Sequence, residues 1–248
     1  MDMFRQHRSK NVYYHPPLPP PPPAKPPVPD ATENRTYLLT EIQQGLAQKK
    51  IAQCQLEFLD VGSMNENDPN DINRYNHAIL RLTFAHQLQD DTPYAQIGTR
   101  GVILDLRDDS EDDANISNLI IKTFWYEGPH KDALHWVNLP MYSGKTLRDC
   151  LNIIRNSGST PCYLDYSNDN LVGCRDFVSQ LIYHLDRNRF LKLLADANSA
   201  IYDSFNSKYR SGGNAPVPAN VDYALFRRTY NHVNINAINY TGIRQFIV

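Results

Sequence analysis

Asn76-His77-Ala78-Ile79-Leu80-Arg81-Leu82-Thr83-Phe84 alternates along its whole length. Ala78, Leu80, Leu82 and Phe84 fall on one face, and His77, Ile79, Arg81 and Thr83 on the other. That two-residue period is the mark of a strand with one side on a core. Four neighbouring stretches read as strands too. Residues 55–61 are short and mixed, residues 101–107 are Gly-Val-Ile-Leu-Asp-Leu-Arg, residues 118–126 are rich in β-branched and aromatic side chains, and residues 133–139 are stopped by Pro140. Gly, Pro, Asn and Asp fill the connections, as turns between consecutive antiparallel strands require. Helical spacing flanks the series. Leu38, Leu39, Ile42, Leu46 and Ile51 make a stripe that predicts a helix over residues 37–51. Thr146-Leu147-Arg148-Asp149 has the form of a capping box, opening a helix whose inward stripe is Leu147, Cys150, Leu151 and Ile154. Strands followed by helices predict the α+β class, an antiparallel sheet of about five strands packed against helices.

The first 35 residues are unlike the rest. Ten of the 17 prolines lie between Pro16 and Pro29. Proline fixes φ and lacks an N–H, so this run cannot be helix or interior strand. Residues 1–35 are expected to form a disordered or polyproline II tail, and residues 36–248 a single α+β domain. The tail has a second reading, as a ligand for a partner's aromatic groove.

Charge and cysteine use narrow the function classes. A net charge of −2, with basic pairs scattered, gives no electrostatic argument for nucleic acid. No apolar core follows the charged N-terminus and no stretch reaches the length of a membrane helix, so a cytoplasmic protein without membrane contact is expected. Cys54, Cys150, Cys162 and Cys174 then read as reduced thiols. None forms a Cys-x-x-Cys pair, and neither a metal nor another cofactor is called for. Ser143-Gly144-Lys145-Thr146 lacks the leading glycine of a phosphate loop, since Leu139 stands there. The acidic run from Asp108 to Asp113 lacks Ca-loop spacing and reads as a solvated loop.

One cysteine is placed differently from the others. Cys174 follows the polar stretch 166–173 and begins Cys174-Arg175-Asp176-Phe177-Val178-Ser179-Gln180-Leu181-Ile182, where Phe177, Val178, Leu181 and Ile182 recur at helical steps. The helix is predicted to run to about residue 195, with Phe190, Leu191 and Leu194 continuing its apolar face. A thiol at its head meets converging N–H groups and the positive dipole end, which favour the thiolate. A small buried hydrophobe is the competing reading. A nucleophile also needs a base. Of eight histidines, His7 and His15 lie in the tail, His130 in a Gly-Pro turn, His184 too far along the helix, and His232 in an end that has no readable pattern. His77, His86 and His135 remain, and each can equally be a sheet histidine held by hydrogen bonds.

The order of these residues resembles the circularly permuted papain-like superfamily, which includes lecithin–retinol acyltransferase-like proteins and cell-wall amidases. The resemblance spans about residues 55–190 and rests on His77 in an early strand, Asp105 on the next, and Gly173-Cys174-Arg175-Asp176-Phe177 opening a later helix. Gly173 stands where that family often has Asn. The resemblance implies a papain-like permuted fold in which Cys174 is the nucleophile, His77 its base and Asp105 the group that orients the imidazole; His86 and His135 stay as alternative bases. It further implies acyl transfer through a thioester, either amide or ester hydrolysis or transfer to an acceptor, on a small-molecule or peptide substrate. Amide formation from an activated aminoacyl ester or thioester is a variant of the same chemistry, and a tRNA-linked donor stays open. The reading from a different class is a non-catalytic protein that recruits partners through its proline tract.

Overall fold

A computed structural model describes residues 36–38, 44–60, 76–90, 95–108, 116–157, 162–163, 165–167, 170–172, 174–209, 215–218 and 225–226. In chain order these form β1 (Thr36–Leu38), α1 (Gln44–Ala47), β2 (Ile51–Asp60), β3 (Asn76–Phe84), β4 (Gly101–Asp108), β5 (Ile116–Phe124) and β6 (Ala133–Leu139). There follow α2 (Leu147–Ser157), β7 (Cys162–Tyr163), β8 (Asp165–Ser167), β9 (Asn170–Val172), α3 (Cys174–Arg187), α4 (Ala195–Phe205), β10 (Ser207–Lys208), β11 (Val217–Pro218) and β12 (Leu225–Phe226). The five long strands pair antiparallel in the order β5-β4-β3-β2-β6, so the quoted stretch lies at their centre. Short β1, β7 and β12 extend the sheet to eight strands on the β5 side. The architecture is α+β.

The alternation of β3 is realised on both faces. Ala78, Leu80 and Leu82 share one core with Leu56 and Phe58 of β2, Leu104 of β4, Ile121 of β5, and the stripes of α2 and α3. Burial of each Leu, Ile, Val or Phe side chain contributes about 1.5–3 kcal/mol, so this face decides where the two helices lie. The opposite face is polar yet buried: it carries Gln55, Glu57, Arg81, Asp105 and Lys122. Buried polar groups need partners. Arg81 Nη1 donates to Gln55 Oε1 (2.8 Å), and its guanidinium lies 4.1 Å from the centre of the Phe124 ring. Glu57 Oε2 accepts the His130 N–H (3.0 Å).

The helix expected over residues 37–51 is not formed. Thr36–Leu38 is a strand paired with β5, α1 keeps one turn, and Ile51 begins β2. Gly45 weakens the helix, and pairing with an exposed strand edge outweighs helix propensities of about a few tenths of a kcal/mol per residue. The helix expected to run from Cys174 to about residue 195 ends early too. It stops at Arg187; Arg189 takes φ 56°, and the chain re-enters a helix only at Ala195. The polar stretch before Cys174 is not a plain loop, because β8 and β9 pair as a hairpin that delivers the chain to α3. By contrast the capping box is present: Thr146 N–H donates to Asp149 Oδ2 (2.8 Å) and Asp149 N–H to Thr146 Oγ1 (3.2 Å). The proline-rich tail and most of the acidic run lie outside the described residues. Among the described residues no helix is long and apolar enough to cross a membrane.

Candidate functional site

The site is built from three consecutive strands and the head of one helix. Register places Arg81 opposite Ile103 and Ile103 opposite Lys122. Cross-strand partners share a face and residues two apart share a face, so His77, Asp105 and Lys122 all project from the polar side of the sheet. There the His77 Nε2 is hydrogen-bonded to Asp105 Oδ1, and Lys122 Nζ donates to Asp105 Oδ2 at 2.5 Å. Asp105 and Lys122 are buried, while the His77 side chain keeps 19% of its exposure.

Cys174 opens α3, the helix that packs over β3 through Phe177, Val178 and Leu181. That packing brings its thiol to the start of the strand. Its sulfur makes a hydrogen-bonding contact with the His77 imidazole and accepts the Ala78 N–H. With Nε2 on Asp105, the second ring nitrogen, Nδ1, is the one left for sulfur. Cys174 is partly exposed, whereas Cys54 and Cys150 are buried.

Electrostatics follow from these contacts. Burial pushes the Cys174 thiol up, but the His77 charge and hydrogen bond, the Ala78 N–H and the Arg175 guanidinium pull harder, and the net movement is down. Burial pulls His77 down; the Cys174 charge and the Asp105 carboxylate outweigh it and raise its pKa to about 10. Burial raises Asp105, yet the His77 hydrogen bond and charge, with Lys122, hold it below the usual carboxylate range. The charged forms of Cys174, His77 and Asp105 thus favour one another, opposite to the effect of burial on each. At the buried thiols desolvation prevails: Cys54 is pushed up to about 12 and Cys150 well above its ordinary value. The expected core role of Cys150 holds.

The other expected histidines lie elsewhere. His86 follows the far end of β3 and is exposed. His135 stacks on Tyr209 (ring centres 4.2 Å apart, planes 12° apart) and bonds Ser204 Oγ at 3.0 Å. Ser204 Oγ itself donates to Ala200 O, so it receives the His135 N–H, and burial pushes His135 toward its neutral form. His184 sits in the body of α3 against Tyr183. Sequence reasoning misses Lys122. A lysine inside Leu119-Ile120-Ile121-Lys122-Thr123-Phe124 is the available signal, because a buried strand position tolerates lysine only beside a counter-charge. Cys162 begins β7. Comparison with family models, with curated proteins and with solved structures finds no match for this chain.

Proposed function

We propose that the protein is a cysteine-dependent acyl-transfer enzyme in which Cys174 is the nucleophile, His77 the acid–base partner and Asp105 the orienting group. The observation that carries this reading is the thiol of a helix-opening cysteine in contact with an imidazole whose other nitrogen is held by a buried carboxylate. Nucleophile, base and orienter in that chain are what covalent acyl catalysis requires. The order of the three residues along the chain also resembles the circularly permuted papain-like superfamily.

The Cys174 thiolate attacks a substrate carbonyl carbon, forming the C–S bond as the carbonyl π pair moves onto oxygen. The Cys174 N–H at the head of α3 faces that oxyanion, where helix N–H groups lack intrahelical acceptors. As the tetrahedral centre collapses, the bond to the leaving nitrogen or oxygen breaks and the His77 imidazolium gives that atom its proton. The thioester is then attacked by an acceptor whose proton passes to the imidazole, and the departing thiolate restores the ion pair. Water as acceptor gives an amide or ester hydrolase. An amine or alcohol gives a transferase, and with an activated aminoacyl donor the product is an amide.

Reaction with p-nitrophenyl acetate tests this. The expected result is a burst of p-nitrophenolate equal to the enzyme present, with an acetyl group on Cys174 that hydroxylamine removes. Cys174→Ala and His77→Ala should lose the burst. Acetylation spread over several side chains, unchanged in both variants, would overturn the reading.

A further inference from the structure

Two residues next to the pair grip one short segment of chain. Asn76, immediately before His77, donates from Nδ2 to Tyr209 O (3.0 Å) and accepts the Tyr209 N–H at Oδ1 (2.5 Å). Arg175, immediately after Cys174, donates from Nη2 to the carbonyls of Ser204 (3.0 Å), Phe205 and Ser207 (2.7 Å). Both side chains are buried.

Arg175 is out of place by the rules of its own helix. The first turn favours acids, and a cation there opposes the dipole. Its guanidinium instead meets the last carbonyls of α4, where partial negative charge accumulates and hydrogen bonds are unmet. Asn76 is equally specific: its amide closes a two-bond ring with the backbone N–H and C=O of one residue, 133 residues away in sequence. The segment between them is fixed from the sheet as well. Phe58 packs on Phe205 (5.5 Å between ring centres) and on Tyr209 (5.3 Å), and His135 holds Ser204 and Tyr209.

We propose that Asn76 and Arg175 are positioning residues for the Cys174–His77 pair, which they set at contact distance by clamping opposite ends of the Ser204–Tyr209 segment. This rests on the acyl-transfer reading of that pair. β3 and α3 are separate stretches of chain, and the apolar contacts between them are non-directional. Hydrogen bonds to three carbonyls at one end and to both backbone groups of Tyr209 at the other add direction. They fix where the first turn of α3 stands relative to the start of β3. His135 serves the same segment from β6, which gives that histidine a place without any part in the chemistry.

Alkylation of each cysteine by iodoacetamide between pH 5 and 9 tests the clamp in wild type, Asn76→Ala, Asn76→Asp, Arg175→Met, Arg175→Lys and His77→Ala. Cys54 and Cys150 are buried and report folding. In Asn76→Ala and Arg175→Met, Cys174 labelling near pH 6 should fall by about tenfold to a hundredfold, since misplacement of about 1 Å costs that much. Its pH midpoint should rise, while Cys54 and Cys150 stay protected. Asn76→Asp keeps the acceptor and Arg175→Lys the charge, so both should recover part of the rate. Wild-type rate and midpoint in Asn76→Ala and Arg175→Met, with a fast and His77-dependent wild type, overturn the clamp alone. A slow wild type that His77→Ala does not change overturns the acyl-transfer reading and the clamp with it. Where Cys54 and Cys150 also label, the variant is unfolded, and wild-type behaviour of Asn76→Asp and Arg175→Lys is then the overturning result.

Discussion

At the scale of single residues, the pair should leave a signature in stability as well as reactivity. His77 is raised in the folded protein from 6.5 to about 10, so its own contribution is complete below pH 6.5 and lost as pH rises to about 10. Cys174 is lowered from 9.0, so its contribution runs the other way, complete above pH 9 and lost as pH falls through its depressed value. Below pH 9, and above both pH 6.5 and the depressed Cys174 value, the unfolded chain binds one proton, on the thiol, and the folded chain binds one, on the imidazole. The two slopes cancel there. Denaturant unfolding of wild type against the Cys174→Ala/His77→Ala double variant should therefore give a difference that is flat through that window, up to about pH 9, and shrinks on both sides. A difference that changes monotonically across that window would show that the two groups do not titrate as a pair. Cys174, His77 and Asp105 are legible as candidates because a thiol at a helix head, a strand histidine and their order are sequence features. Lys122, Asn76 and Arg175 are harder to read, because each acts on a residue distant in sequence; a lysine in an apolar run and an arginine in a first helical turn mark positions but not their partners.

Among elements, strands read more reliably than helix ends. The alternation of β3 is long and strict, and β5 carries Ile116, Leu119, Ile120, Ile121 and Phe124, so local preference and burial agree. The stripe over residues 37–51 has helical spacing, but the partner that decides its first residues is β5, far along the chain. Similarly, Phe190 and Leu191 continue the apolar spacing of α3 from beyond a turn, because both still face the same core. Gly101 makes a sharper element-level claim. At the start of β4 a Cβ would lie 2.1 Å from Leu82 O and 2.6 Å from the Phe124 ring. Backbone on one side leaves little room to adjust. Gly101→Ala should destabilise by about 1–3 kcal/mol, lowering the melting temperature by roughly 2–4 °C for each kcal/mol. Scanning calorimetry that finds the wild-type temperature would contradict the close approach of β3, β4 and β5 that also places Asp105.

For the whole molecule, the site exists only when distant parts of the chain meet. β3 to β5 are successive neighbours, which turn-rich connections already suggest, but β6 returns to pair with β2 at the opposite side. Nothing local encodes that return, and it is what carries His135 to the segment that Asn76 and Arg175 hold. α3 is likewise placed on β3 by an apolar stripe whose target no periodicity names. Per-cysteine iodoacetamide labelling near pH 6, in native wild type, native His77→Ala and guanidinium-unfolded wild type, decides whether His77 activates Cys174. Fast labelling of Cys174 alone, slowed in His77→Ala and reduced in the unfolded chain to the common rate of all four thiols, is the predicted result. Cys174 labelling no faster in the native protein than in the unfolded one, or indifferent to His77, would contradict an activated Cys174–His77 pair.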